Sequence, residues 1–536
     1  MILIRDLKLP VDAPEEALRA LAARRLRVSG EEVASLRLYK RSLDARRKPE
    51  LFWVCSVLVS LRGDEEKAVR RAKDARVSLY EEAPYALPRV APPEKRPVVV
   101  GFGPAGIFAA LAMAMAGARP IVLERGQDAL TRRAAVEAFR AGGALDPENN
   151  VQFGEGGAGT FSDGKLNTGT HDRRIRFVLE QFAAHGAPES VLYDAKPHVG
   201  TDVLVDVVRN LRETIVSLGG EVRFGSRMER LVLEDGRLTG LEVAAGAERY
   251  VLPCDRAILA LGHSARDTFA ALYAQGLAME PKPFAMGVRI EHKQAAIDLA
   301  QYGRARGTLP AADYALNVHL PDAASAFTFC MCPGGEVIAA ASEAGGVVTN
   351  GMSLSARAGE NANAALLVTL RPEDFPGTDV FAGLRWQREI ERACYAYGGG
   401  DYRAPAQLVG DFLASRPSDG PGAVRPSYRP GVVWGDLHAV LPERITGVLE
   451  RAIPALGKRL AGFDAPDAVL TAPETRSSSP VRILRGETLC AAIEGLYPCG
   501  EGAGYAGGIT SAAVDGLRCA EALLATLPRI DGEDRA

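Results

Sequence analysis

Apolar residues recur along this chain with changing periods, and the changes mark out its parts. Ile2–Leu9 alternates apolar with polar, Pro14–Leu26 repeats at helical spacing, and Ser35–Ser42 and Leu51–Leu61 alternate again. Asp64–Ala75 returns to the helical period and Val77–Tyr80 closes the series. Strand, helix, strand, strand, helix, strand is the order of a small ferredoxin-like α+β sandwich, predicted for residues 1–90. Pro84, Pro88, Pro92, Pro93 and Pro97 then punctuate a linker.

Beyond the linker the pattern is of another kind. Val98-Val-Val is a β-branched run expected in a buried strand, and it leads into Gly101, Gly103 and Gly106. Ile107 to Ala116 then makes an Ala/Leu/Met-rich helix, and a second strand, Ile121-Val-Leu, ends on Glu124. Each glycine answers a need. Gly101 permits the tight turn, Gly103 has no Cβ to block a pyrophosphate, and Gly106 lets helix and strand pack closely. Free N–H groups at the helix start, with Pro104 and Ala105 in its first turn, face the phosphates. Glu124, 23 residues after Gly101, is placed to accept both hydrogen bonds of a ribose diol, with Arg125 beside it. Together these residues predict a bound dinucleotide.

The dinucleotide fold reads as interleaved with other sequence. Residues 91–280 form its first part, including a strand–hairpin–strand around Glu234-Asp235-Gly236 and a buried strand that breaks at Gly262. Residues 281–380 look mainly β and 381–460 helical with several turns. At 491–536 a strand again delivers an acid into a glycine-rich turn, Gly500-Glu501-Gly-Ala-Gly-Tyr505-Ala-Gly-Gly508, ahead of an Ala-rich helix. An inserted substrate domain at 281–490, mainly β plus helical, follows from that return.

Composition adds exclusions. The 536 residues carry a net charge of -3, so charge makes no whole-chain case for nucleic acid. Residues 1–96 hold 21 Lys/Arg against 15 Asp/Glu, with Lys40, Arg41, Arg46, Arg47 and Lys48 clustered in one turn. A solvated hairpin tip is the expectation there; docking onto RNA is the alternative. No apolar run approaches membrane-spanning length and the start lacks a signal-peptide pattern, so a cytoplasmic protein with no membrane partner is expected. Eight scattered cysteines offer no C-x-x-C pair, hence no metal site. Cys330 and Cys332 read as small core residues on one strand face, a redox pair being the alternative. The sequence leaves the oligomeric state open.

The glycine fingerprint, the late Gly-acid step and the final helix resemble the two-dinucleotide-fold flavoproteins, which include glutathione reductase and the aromatic hydroxylases. More closely, Gly154-Glu-Gly-Gly-Ala-Gly-Thr-Phe-Ser-Asp-Gly-Lys165, Leu261-Gly-His-Ser-Ala-Arg-Asp267, Cys332-Pro-Gly-Gly-Glu-Val, Val348-Thr-Asn-Gly-Met-Ser and Gly500–Ile509 resemble an uncharacterised bacterial family of FAD-dependent dehydrogenases. The resemblance implies an α/β fold with a Rossmann-like FAD domain, non-covalent FAD, and hydride transfer at flavin N5 to or from a small organic substrate. It implies that Gly157, Gly159 and Thr160 pass beside the flavin and that Met228 lies where backbone groups read adenine. It also puts Gly262, Gly500, Glu501, Gly508, Ile509 and Thr510 around the ribityl chain and ring. Glu501 takes the place of the usual Asp, one methylene longer. No cysteine stands between Cys55 and Cys254, where disulfide reductases carry C-x4-C, so no dithiol relay of that kind is expected. No second fingerprint holds a nicotinamide, so NADH or NADPH would bind transiently.

Candidate catalytic groups follow from position. Lys165 could approach the ring or an anionic substrate, or pair with Asp163. His263, after Gly262, is a proton donor or a structural histidine. Tyr505 lies in the turn expected at the ring, and Arg476, in Thr475-Arg-Ser-Ser-Ser, could bind a carboxylate or carbonyl, a solvated loop being the alternative. Arg266 and Asp267 are expected to pair locally or cap a helix.

Overall fold

The computed structural model describes residues 1–82 and 84–530. The first unit comprises β1 (Ile2–Pro10), α1 (Ala17–Leu26), β2 (Val33–Arg47), β3 (Glu50–Leu61), α2 (Glu65–Ala72) and β4 (Val77–Leu79). Its sheet order is β2-β3-β1-β4, antiparallel throughout, which is the expected ferredoxin-like arrangement. Alternation decides what is buried: Ile2, Ile4, Leu7 and Leu9 meet Leu18, Ala22 and Leu26 of α1. Asp64 starts α2 by accepting a hydrogen bond from the Lys67 N–H.

The ribbon tip, residues 46–50, is exposed as expected, whereas Lys40 and Arg41 lie on strand β2 rather than in the turn. Arg41 pairs with Asp194 at 2.8 Å and stacks over Trp53 and Tyr193, and Lys48 donates to the Ala300 carbonyl. The β2–β3 ribbon is therefore wedged against the rest of the chain, and Arg46 is paired with Asp44. Two of the five clustered charges, Arg41 and Arg46, are thus paired with carboxylates.

The dinucleotide-type unit is built on β5 (Val98–Val100), α3 (Pro104–Ala116), β6 (Ile121–Leu123), β7 (Glu221–Arg223), β8 (Ser226–Glu234), β9 (Arg237–Ala245), β10 (Glu248–Pro253) and β11 (Ala257–Leu259). Strand Leu496–Pro498 completes a parallel sheet in the order Leu496–Pro498, β11, β5, β6, β7. Helix α3 is apolar all round because the sheet lies on one side and helices Thr201–Ser217 and Ile509–Leu524 on the other. Two glycines make this packing possible. A Cβ on Gly106 would overlap the Gly101 carbonyl, and one on Gly516 would overlap the Ala105 carbonyl. β8 and β9 join through Asp235 and Gly236, both at positive φ (48° and 77°), the turn that suits a two-residue hairpin.

The chain leaves and re-enters this unit on adjacent strands, since Met279–Pro281 pairs antiparallel with Val481–Ile483. Between them stands a seven-stranded sheet whose central strands are Asn361–Leu370, Phe284–Lys293 and Val469–Glu474. Phe284–Lys293 and Asn361–Leu370 are buried almost end to end, and each fully buried Leu or Val contributes about 1.5–3 kcal/mol. Residues 381–460 are not purely helical as expected. Helices Ala382–Tyr397 and Glu443–Gly457 flank strands Ala404–Leu408 and Val432–Trp434, which extend the sheet. Among the described residues no helix is long and apolar enough to cross a membrane.

Candidate functional site

A cavity of about 440 Å³ lies between the parallel sheet and the inserted sheet. Two helices begin on it. α3 has Gly103 as N-cap and Pro104 in its first turn, and Ile509–Leu524 has Gly508 as N-cap; neither receives a side-chain cap. Their first N–H groups therefore stay free to meet an anion, in the positive potential of the helix end. No atom lies within 4 Å of where a Cβ on Gly262, Gly507 or Gly508 would stand, and a Cβ on Gly103 would meet only the Gly157 Cα, at 3.6 Å. Gly262 needs to be glycine for its φ of +72°, not for room. This is a cradle that side chains would fill, and it fits a dinucleotide.

Gly101, Gly103, Pro104, Ala105, Glu124, Arg125, Gly157, Gly159, Met228, Gly262, Glu501, Gly508 and Ile509 all line the cavity, with Lys165, His263 and Arg476. Five expected residues stand behind its wall. Gly106 packs under Gly101, and Thr160 donates to the Glu155 carbonyl. Gly500 donates its N–H to Asp515, and Thr510 donates to the Leu166 carbonyl at 2.6 Å. Tyr505 donates to the Ile483 carbonyl with its ring 3.7 Å from the Arg485 guanidinium, so it does not approach the cavity as expected.

Glu124 also departs in detail. Its carboxylate accepts from the N–H groups of Phe102, Gly126 and Gly154 at 2.8, 2.8 and 2.9 Å. Three of about four acceptor directions are filled, leaving room for one ribose hydroxyl rather than two. Arg125 is held by Glu148 and Asp267 over the Phe153 ring.

The inner wall carries charge the sequence did not advertise. Arg476, instead of reaching freely into the cavity, places Nε and Nη2 on Glu391 at 3.0 and 2.9 Å, and Nη1 on Ser264 and Ser342. Arg266 grips the same carboxylate from the other side at 2.8 and 2.9 Å, a partner 125 residues away rather than a local one. Two guanidiniums hold the Glu391 carboxyl far below its usual range although burial pulls the other way. Arg289, fully buried, uses all five donors: Glu474 twice, Asn350, Asn363 and the Cys330 carbonyl. Burial outweighs Arg289 at Glu474 and pushes its carboxyl up to about 7.

Three titratable groups among the lining residues bear on proton movement. Lys165 donates to the Met331 carbonyl and lies 3.8 Å from Asp163, whose main partner is Arg357. His263 has Nδ1 3.1 Å from the Ser264 hydroxyl and Nε2 4.0 Å from Glu501. Burial, with Arg476 and Arg266 nearby, lowers its pKa to about 3, so it is neutral at neutral pH. Burial raises Glu501 to about 7, against the pull of Lys282.

A family model described as "FAD-dependent protein, C-terminal domain-like" matches residues 283–477, and one for a domain of unknown function matches residues 1–60. An "Uncharacterized protein" of Clostridium beijerinckii is 45% identical over 529 residues, covering 98% of each chain. The chain belongs to this FAD-dependent family. Solved structures share far less with this family member. The flavin-dependent brominase Bmp2 is 13% identical, over 82% of this chain and 81% of that one, with a TM-score of 0.37. A geranylgeranyl bacteriochlorophyll reductase-like protein of Thermoplasma acidophilum is 13% identical, over 79% and 76%, with a TM-score of 0.35. The Bacillus halodurans glycerol-3-phosphate dehydrogenase complexed with FAD is 10% identical, over 82% and 66%, with a TM-score of 0.35.

Arg289, Glu391 and Glu474 escaped sequence reasoning. Arg289 left a trace, as a charge inside the apolar run Phe284–Ile290. Glu391 left none, because an acid on an amphipathic helix reads as solvated surface.

Proposed function

We propose that this protein is an FAD-dependent oxidoreductase that passes a hydride between non-covalently bound flavin and a small organic substrate. One observation carries the proposal: a single cavity joins two uncapped helix N-termini to a polar wall of the inserted sheet. Bound FAD would supply the hydride chemistry.

The residues divide the work by position. The first turn of α3 would hold the pyrophosphate, Glu124 one ribose hydroxyl, and the backbone at Met228 the adenine. The start of helix Ile509–Leu524 would stabilise negative charge on the ring, an effect of roughly 0.3–1 kcal/mol at a surface and more when buried. His263, being neutral, offers one N–H donor and one acceptor. Glu501, its carboxyl raised to about 7 by burial, can hold or release a proton beside it. Asn350, on strand Thr349–Met352, and Tyr314, in the loop before strand Asn317–His319, line the same cavity and would meet the substrate. Lys165 holds that wall through the Met331 carbonyl.

The test is a visible spectrum of the purified protein followed by anaerobic addition of NADH and then NADPH. Flavin absorbance confirms the cofactor, and bleaching by one nucleotide identifies a transiently bound reductant. Flavin that stays oxidised assigns reduction to another donor or to the substrate itself. Protein that takes up no flavin even when incubated with FAD refutes the proposal.

A further inference from the structure

Strand Ser325–Cys332 brings two thiols to the wall that the inserted sheet turns toward the cavity. It is not regular there. Between Phe329 and Cys332 its register against Asn361–Leu370 slips, and Cys330 adopts φ +41°, which residues other than glycine rarely take. Bulges of this kind re-aim a side chain. Three donors pin this one. Arg289 donates to the Cys330 carbonyl at 2.9 Å, Cys332 Sγ donates to the same oxygen at 3.2 Å, and Lys165 donates to the Met331 carbonyl. The outcome is a partly exposed thiol lining the cavity, Cys330, with a buried thiol, Cys332, beside it.

The surroundings suit an attacking sulfur and a resolving one. The adjacent Cys332 sulfur, with Arg289 and Lys165, brings Cys330 below the ordinary thiol range against the opposing effect of burial. Burial and the neighbouring sulfur push Cys332 up, and burial pushes Cys55 and Cys254 up to about 11 and 12. A second observation is independent of the thiols. Tyr314, 4% exposed, lines the same cavity, and among the described residues nothing pairs with its hydroxyl. A buried hydroxyl left so is costly unless a ligand meets it.

We propose that Cys330 and Cys332 form a redox-active dithiol in this cavity, with a small disulfide as its substrate. Cys330 thiolate attacks one substrate sulfur; the substrate S–S bond breaks, a mixed disulfide forms, and the first half leaves and takes a proton. Cys332 gives up its proton and attacks the Cys330 sulfur, expelling the second half as a thiol. The substrate has gained two electrons and two protons, and the pair is left as an internal disulfide. Two electrons and a proton from reduced flavin, with a second proton from solvent, restore the dithiol. This return step rests on the flavin reading above; the exchange steps do not.

The experiment uses the full chain with Cys490, the other partly exposed cysteine, replaced as Cys490→Ser. The probe is 5,5′-dithiobis(2-nitrobenzoate), itself a small disulfide, and the readouts are aryl thiolate released and peptide mass. The dithiol requires two equivalents released rapidly per chain and a peptide spanning both cysteines that is lighter by two hydrogens. Cys332→Ser must stop at one equivalent, with the aryl group kept on Cys330. Cys330→Ser must lose the fast phase. An aryl group retained on Cys330 of the otherwise unaltered chain, or thiols that react only on unfolding, overturns the proposal. Flavin content, read separately, distinguishes the two failures. Flavin without an internal disulfide removes the dithiol alone, and an internal disulfide in protein that never takes flavin removes the return step and the flavin reading.

Discussion

Gly103 and Gly106 stand one helical turn apart and look equivalent in the fingerprint, yet the fold treats them differently. At Gly103 the backbone is extended (φ -78°, ψ -174°) and an added methyl would touch only the Gly157 Cα at 3.6 Å, an ordinary contact. Losing glycine there stabilises the fold by about 0.4–1 kcal/mol through the unfolded chain. Alanine as an N-cap costs about as much. The two nearly cancel, so Gly103→Ala should leave the FAD-free protein within roughly 0.5 kcal/mol of its parent. At Gly106 a methyl would overlap the Gly101 carbonyl, with the carbonyl carbon at 3.0 Å and Val99 Cγ1 at 3.3 Å. Backbone has to move, which costs about 1–3 kcal/mol or more. With FAD the order changes. The Gly103 methyl stands where the pyrophosphate must reach the N–H groups of α3, and losing one charge-assisted hydrogen bond (about 1.5–3 kcal/mol) weakens affinity at least tenfold. Denaturant unfolding of flavin-free protein, paired with FAD titration by fluorescence quenching, reads both quantities. Gly103→Ala with parental FAD affinity, or Gly106→Ala with parental unfolding, would refute this account of the loop.

Further expectations concern the buried charges. Glu391→Gln leaves Arg266 and Arg476 without their shared carboxylate and should cost about 3–5 kcal/mol, measured by urea unfolding; a loss below 1 kcal/mol would mean the three do not form a buried network. Arg289→Met should cost a similar amount, and Arg289→Met with Glu474→Gln should recover part of it, since the double variant leaves no lone charge; a strictly additive pair argues against the bridge. His263 takes a proton near pH 6.5 when unfolded but only at about 3 when folded. As pH falls through that window the unfolded state binds the extra proton and stability drops, by up to about 1.4 kcal/mol per pH unit. His263→Asn should flatten the acid limb of stability against pH by that slope, and superimposable limbs would show that His263 is not held neutral.

What was legible in the sequence was what the chain does with near neighbours. The turn at Gly101, the close packing at Gly106 and the acid after β6 are demands met within a single βαβ unit, so their spacing reveals them. The ferredoxin-like order was legible for the same reason: six short elements, each with a clear period, joined by short turns. The inserted sheet was half legible: short alternating runs such as Phe284–Ile290 mark it as β, but its central strands are buried on both faces, so the alternation does not tell which face meets the cavity. The inner wall was not legible, and distance along the chain is the reason. Arg289 and Glu474 are 185 residues apart and Arg266 and Glu391 are 125 apart, so neither ion pair leaves a mark at either partner's position. Cys330 illustrates a subtler loss. Alternation along Phe327–Cys332 puts residues 330 and 332 on one face of a strand, and small core residues were the natural reading. A one-residue slip in the ladder changes where a side chain points, and that slip depends on Arg289 and Lys165 holding two carbonyls from other strands and loops. The chemistry of this cavity is therefore assembled by long-range pairs, while the cradle beside it is written locally. A substitution such as Arg289→Met should disturb the thiol wall and leave the glycine cradle intact.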